Sequence, residues 1–394
     1  MIADEIAAPG ALKDGPGVLL WPGERPGFDG HDLDDLLRWA ADRGVSDVRF
    51  AADKPVRLQL HGRVLRATRR PLDLKAVERA ATKLYREADA LAHMREGHAF
   101  SVAYEPGETR EWDDPSLGKR YRFRVNAANA QRRGGDGPTP IVRPLPGDPV
   151  PIERQNADPV ILEHCRPDTG LVIVSGKTGS GKSTLMSGLL LRELQDPQAN
   201  AAVAEFGAPI EHVYDGKEGP TAAIEQYEIP RNLRSFPDAI HFAMRGNFDV
   251  IAVTECRDAE TMVAAIRAAQ TGHRVLLTLH GNSIFETFES AVSMCPVAIR
   301  KEMTTALAQS VRLVVNQRLV RSTDGTRTPI REVMVCNPDI RRMLGQQDPN
   351  NWPLTMENMA KALRLDFGWS AKRALEEGRI TPEEFAKQTA KLRE

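Results

Sequence analysis

The chain has 394 residues, 41% hydrophobic and 27% charged, with a formal net charge of −1. That length carries two domains, the composition is ordinary for a globular protein, and the balanced charge excludes a global pull onto nucleic acid or an anionic membrane. Four widely spaced cysteines, Cys165, Cys256, Cys295 and Cys336, form no CxxC pair, which argues against a disulfide framework or a zinc centre.

Residues 1–30 are rich in Gly and Pro and read as a flexible arm, and the opening MIADEIAAPG lacks the basic and apolar regions of a signal peptide. From His31, LDDLLRWAADRG predicts an amphipathic helix ending at Gly44. Residues 48–70 alternate apolar and polar, as paired strands do, and 73–91 read as a second helix. In YRFRVNAANAQ, Arg122 and Arg124 fall on one side of a strand, with Phe123 and Val125 on the other. This α+β domain spans 31–143. The proline-rich stretch RPLPGDPVPIERQNADP supplies a linker at 144–159.

Beyond it, LVIVSG, NAAVAEF, DVIAVTE and RVLLTLH are short apolar runs separated by helical segments. That pattern predicts a parallel sheet with covering helices. After Gln317 come further strand-like pieces, then one helix over 356–378. A last helix over 381–392 has Thr381 at the N-cap, Pro382 at N1 and Glu384 at N3. No apolar stretch approaches the roughly 20 residues needed to span a bilayer. The chain therefore reads as cytoplasmic, able to dock on a membrane complex.

GKTGSGKS, residues 176–183, matches G-x-x-x-x-G-K-[ST], with a strand leading in and a helix leading out. Such a loop turns backbone N–H groups inward around phosphate oxygens at a helix N-terminus. Candidate phosphate contacts are Gly176, Thr178, Gly179, Ser180, Gly181, Lys182, Ser183 and Thr184. Lys182 would reach the β- and γ-phosphates, and Ser183 would bind Mg²⁺. The cofactors read here are ATP and Mg²⁺.

Three further boxes carry polar groups. DVIAVTECRDAETM ends an apolar strand in Glu255, a second candidate Mg²⁺ ligand and catalytic acid. VAEFGAPIEHVYD carries Glu205 and Glu211, either of which offers a base for the attacking water or simply faces solvent. TGHRVLLTLHGNS places His273 and His280 at the two ends of an apolar run. Metal binding is disfavoured there, because no ligand cluster lies nearby. The remaining readings are satisfied core histidines or sensors of the terminal phosphate; His280 is read as the sensor and His273 as its structural support.

In order and spacing, these boxes resemble the pilus-retraction and type II/IV secretion ATPases, where they correspond to the Walker A, Asp, Walker B and His boxes. DLLRWAADRGVSDVRF is similar to that family's GASDIH opening, and RFRVNAANAQRRG to its arginine-rich strand. VVNQRLV and REVMVCNP also have family counterparts. The variants APIEHVYD and GNS look most like the type IVB branch, the ATPases of Dot/Icm secretion and plasmid conjugation. The resemblance covers about residues 31–390.

It implies an α/β fold: a RecA-like P-loop NTPase domain over 160–394 with a smaller PAS-like N-terminal domain. It also implies a homo-hexamer with ATP between domains of neighbouring copies. The implied partners are inner-membrane secretion, conjugation or pilus-base proteins. Two departures stand out. Where the family reads E-D-P-I-E, residues 207–211 read Gly-Ala-Pro-Ile-Glu, so the first glutamate is missing and Glu205 is the proposed replacement. Thr254 stands where the family usually has Gly.

Phosphoryl transfer needs cations to complete the site, and a second mobile element can supply them. N-terminal candidates are Arg122, Arg124, Arg132, Arg133 and Arg143; Arg231, Arg234 and Arg245 are others. Three functions follow: an ATP-driven motor for secretion, conjugation or pilus dynamics; a nucleotide-gated scaffold that hydrolyses weakly; or a nucleic-acid translocase. Neutral charge and the lack of an aromatic–basic stripe disfavour direct nucleic-acid binding.

Overall fold

The computed structural model describes residues 17–86, 89–107, 120–132 and 134–391. The chain divides into two compact units, 1–147 and 148–394. The division falls inside the 144–159 stretch, so most of the segment read as linker belongs to the second unit.

The first unit contains α1 (Gly30–Asp42), β1 (Asp47–Arg49), β2 (Arg57–Leu60), β3 (Arg63–Arg66), α2 (Leu74–Tyr85), α3 (Ala90–Arg95), β4 (Phe100–Tyr104), β5 (Arg122–Ala127), β6 (Asn129–Arg132), β7 (Gly135–Pro138) and β8 (Ile141–Leu145). Six strands pair in the order β3-β2-β1-β8-β5-β4, every neighbour antiparallel. One sheet face carries the core. Leu33, Leu36, Leu37 and Ala40 share one stripe of α1 and join Val48, Leu58, Phe123, Val125 and Val142. On β5 the intervening residues face away from that core, and Arg124 lies opposite Ala103 and Arg143.

Residues 17–30 correct the arm reading. Trp21 is only 4% exposed and meets Phe28 edge-on at 6.5 Å. The N–H groups of Leu19 and Trp21 donate to the carbonyls of Arg66 and Ala67. Glycine and proline made the stretch look loose, but burying each aromatic ring stabilises it by roughly 1.5–3 kcal/mol. Residues 1–16 of that arm, and Arg133, lie outside the described residues.

The second unit begins with a 3₁₀ turn (Ile152–Gln155) and α4 (Pro159–His164). It continues through β9 (Gly170–Ser175), α5 (Lys182–Gln195), β10 (Ala201–Gly207), β11 (Ala222–Glu228), α6 (Phe236–Arg245), β12 (Val250–Val253), α7 (Ala259–Gln270), β13 (Arg274–Leu279) and α8 (Ile284–Met294). It ends with α9 (Arg300–Ser310), β14 (Val311–Arg321), β15 (Arg327–Val335), α10 (Pro338–Gln346), α11 (Trp352–Ala362), α12 (Phe367–Glu376) and α13 (Pro382–Lys391).

Its seven strands run β11-β10-β12-β13-β9-β14-β15, parallel except for the last pair. The sheet is buried on both faces, which is why its strands read as continuous apolar runs. Leu171 and Ile173 of β9 enter one core with α7, while Val172 and Val174 enter the other with α5. The polar edge strand β11 escaped the sequence reading, because Ala-Ala-Ile-Glu-Gln-Tyr-Glu carries no apolar run.

The single helix read over 356–378 is two. Arg364 adopts φ 59°, and Asp366 then caps α12 by accepting the Trp369 N–H at 3.0 Å. Thr381 caps α13, accepting from Glu384 N–H at 3.2 Å. Among the described residues, no helix is long and apolar enough to cross a membrane.

Candidate active site

The loop 176–183 leaves the carboxyl end of β9 and opens α5, where open α/β sheets place their ligand crevice. Its glycines are sterically required. Gly176, Gly179 and Gly181 have φ of 150°, 76° and 83°. A Cβ on Gly176 would lie 2.4 Å from Ser180 Oγ and 2.5 Å from the Gln317 carbonyl oxygen. The first turn of α5 carries no acid, leaving its positive end open to an anion. Lys182 Nζ donates back to the carbonyls of Gly176 at 2.8 Å and Lys177 at 3.1 Å. Burial lowers its pKa, against the opposing pull of Glu255 and Glu211.

Glu255 lies just past β12. It pairs with Arg257 and stands 3.8 Å from His280 Nε2. Thr278 Oγ1 donates to the Thr254 carbonyl, and Cys256 N–H donates to the Thr278 carbonyl at 3.1 Å. These bonds clip the ends of β12 and β13 together and bring His280 to Glu255. The pKa of His280 is lowered by burial and then by Lys182, with Glu255 opposing. The neutral imidazole is thereby favoured. Lys182, Glu255 and His280 thus converge, and Glu211 acts on the same lysine.

Other sequence candidates fall elsewhere. Glu205 is 4% exposed and accepts from Gln226 Nε2 at 2.6 Å. That amide also donates to the His212 carbonyl at 2.7 Å, so Glu205 is engaged with the neighbouring strand β11. Its charge bears on Tyr214, whereas the carboxylates bearing on Lys182 are Glu255 and Glu211. The missing glutamate's proposed replacement, Glu205, is thus tied to the edge strand through Gln226. Nor would a larger residue at 207 fit unchanged, since a Cβ there meets Ile210 Cδ1 at 2.8 Å.

His273 sits at the opposite end of β13 from His280, about 20 Å away along an extended strand. Its Nδ1 lies 3.2 Å from the Ala268 carbonyl oxygen. It supports the turn after α7, not His280.

Arg231 and Arg234 follow the edge strand β11, four strands or about 19 Å from β9. Arg245 ends α6 at the entry to β12, the edge of the sheet opposite the loop. Arg231 and Arg234 thus lie toward the sheet edge, and Arg245 lies at the end of the sheet away from the loop. In the first unit, Arg132 pairs with Asp53 and Arg143 with Asp47, both at 2.9 Å, and Arg122 is buried. Arg124 Nε is buried with no hydrogen-bond partner among the described residues.

The structure also adds residues the motifs did not name. Asn316, fully buried, donates to Ser175 Oγ at 2.8 Å and to the Gly281 carbonyl at 3.1 Å. It thus joins the base of the loop to the His280 segment. Gln317 Nε2 donates to the Ser180 carbonyl at 2.7 Å, and Arg327 reaches the Gly179 carbonyl at 3.4 Å. The available signal was the polar triplet Asn316-Gln317-Arg318 inside the apolar run VVNQRLV.

The cradle yields a direct prediction. In Gly181→Ala the new Cβ would lie 2.8 Å from Gln317 Nε2, at a φ that costs an L-residue roughly 1–2 kcal/mol. Affinity for a fluorescent ATP analogue should fall about tenfold or more, at 1.4 kcal/mol per decade. Unchanged affinity would show that the loop tolerates the side chain.

Residues 153–387 match the model of the family described as type II/IV secretion system protein. The type IV pilus retraction ATPase PilT of Pseudomonas aeruginosa is 29% identical over 316 residues, 79% of this chain and 85% of that protein. The crystal structure of the ATPase DotB of Legionella pneumophila superposes with a TM-score of 0.83 at 31% identity, covering 95% of this chain and 99% of that one. A pilus retraction motor PilT solved with bound ADP shares the fold, with a TM-score of 0.73 at 24% identity over 90% and 96% of the two chains. The second unit is accordingly a RecA-like secretion-ATPase domain. The chain belongs to the type II/IV secretion system protein family, among the pilus-retraction and secretion ATPases.

Proposed function

We propose that the chain is an ATP-hydrolysing motor that serves type IVB secretion, plasmid conjugation or an associated pilus as a homo-hexamer. The observation that carries this reading is the convergence of Lys182, Glu255 and His280 on one phosphate cradle. The cradle binds the triphosphate, Lys182 neutralises its β- and γ-oxygens, and His280 senses the terminal phosphate as a neutral imidazole. Glu211 is the better-placed of the two candidate bases, because it shares the field of Lys182.

Ser183 at the start of α5 and the carboxylate of Glu255 are hard oxygen donors of the kind Mg²⁺ takes, so the residues present fit that ion. Bound there, Mg²⁺ supplies neutralisation of phosphate charge. Arg124, with its unsatisfied Nε, and the exposed Arg231 and Arg245 are the cations a neighbouring copy would offer. The first unit is read as PAS-like. Partners are inner-membrane secretion, conjugation or pilus-base proteins, met from the cytoplasmic side.

A second reading, a nucleotide-gated scaffold, is favoured by the crowding at Gly207. Two measurements separate them. Phosphate release that requires Mg²⁺, together with a six-copy mass in a non-hydrolysable ATP analogue, supports the motor. Tight analogue binding without phosphate release supports the scaffold. Single-copy particles turning over at full rate would end the ring proposal.

A further inference from the structure

Arg331 of β15 is the most deeply buried arginine near the cradle, at 2% exposure. Its guanidinium forks three ways. Nε donates to Gln317 Oε1 at 2.7 Å, Nη1 to the Asn156 carbonyl at 2.6 Å, and Nη2 to the Gln155 carbonyl at 2.9 Å. The other end of the Gln317 amide holds the Ser180 carbonyl of the phosphate-binding loop. One planar amide and one planar guanidinium therefore separate the loop from residues 155–156.

A second tie runs beside the first. Gln155 Nε2 donates to the carbonyls of Thr184 in α5 and of Val150, at 2.8 and 2.7 Å. The segment lies so close to α5 that a Cβ on Gly188 would sit 2.2 Å from Gln155 Nε2. Burying a guanidinium is costly, and an apolar residue of similar volume often packs as stably, so a fork with these partners acts on specific positions. Burial draws its pKa down to about 10, while Asp158 pulls the other way. It stays charged at neutral pH.

We propose that Arg331 is a positioning residue that couples the phosphate-binding loop to residues 150–157, just past the division between the two units. Nucleotide in the loop shifts the Ser180 carbonyl. Gln317 follows, and Arg331 moves with it against the carbonyls of Gln155 and Asn156. Residues 150–157 then report the state of the loop. This inference rests on the nucleotide reading of the loop.

The test is hydrogen exchange of the intact 394-residue chain with and without a non-hydrolysable ATP analogue and Mg²⁺, alongside analogue affinity and the kinetics of phosphate release. In the unmodified chain, amides at 150–157 should slow about tenfold on binding. In Arg331→Gln the analogue should still bind within about threefold. The exchange response at 150–157 should then fall below about twofold, and kcat should drop with KM nearly constant. Gln317→Leu cuts the same chain on the loop side while leaving Arg331 on its carbonyls. It should lose the response too, and it decides the matter if Arg331→Gln does not fold.

A full response in either folded variant, or a lower melting temperature with the response intact, overturns the coupling and reduces Arg331 to a staple. An unmodified chain that binds the analogue without any response at 150–157 also overturns it. Failure of the unmodified chain to bind the analogue at all defeats the nucleotide reading itself, a separable result.

Discussion

Lys182→Ala should lower phosphate release by on the order of 10²–10³-fold, the usual loss when one preorganised donor to a developing charge is removed. The lysine now donates to two carbonyls of its own loop, in a partly buried position where Glu255 and Glu211 favour its charged form. A triphosphate would exchange those carbonyls for stronger, charge-assisted contacts. Alanine supplies none of them, so analogue affinity should fall together with turnover. Glu255→Gln should behave differently. It keeps the shape of the side chain and removes one negative charge from beside Lys182, so the analogue should bind about as well while turnover falls by a similar factor. Neither substitution touches the apolar cores, and melting temperatures should move little. Full-rate phosphate release by either variant would remove this cluster from the chemistry.

What was legible in the sequence was what is local. The loop needs glycines at fixed spacing because its backbone has positive φ, and that requirement is written contiguously. The central strands were legible because a sheet covered on both faces must be apolar on both. The acid–base partners were harder, because they depend on which strand lies alongside. Strand alternation correctly places Glu205 and Gly207 on one face, yet the register sets Glu205 opposite Gln226 of β11. Since β11 carries no apolar run, the partner that takes up Glu205 could not be seen. The same holds for Asn316 and Gln317, which lie over 130 residues from Ser175 and Ser180, and for Arg331, which is over 170 residues from the carbonyls of Gln155 and Asn156. Residues 17–30 failed for another reason: two aromatic side chains outweigh a stretch of backbone punctuators.

The second large effect is on stability and turns on Glu332, a buried carboxyl of β15 that accepts the Ile284 N–H at 2.9 Å where α8 begins. Burial raises its pKa from 4.5 to about 7. The Ile284 amide and Arg318 oppose that rise, and Glu357 and Asp366 add to it. Between those two values the native chain holds a proton that the unfolded chain has released. Stability from this group is therefore complete below pH 4.5 and is lost as pH rises through about 7, a change of about 3 kcal/mol at 1.36 kcal/mol per unit. Glu332→Gln keeps an acceptor for Ile284 and has no proton to lose. Its melting temperature should match that of the unmodified chain near pH 4.5 and exceed it by several degrees above pH 7. Other groups titrate in both proteins, so the difference between the two curves isolates this one. Parallel curves would mean that Glu332 is already ionised in the native state, with Arg318 and the α8 N-terminus outweighing the cost of its burial.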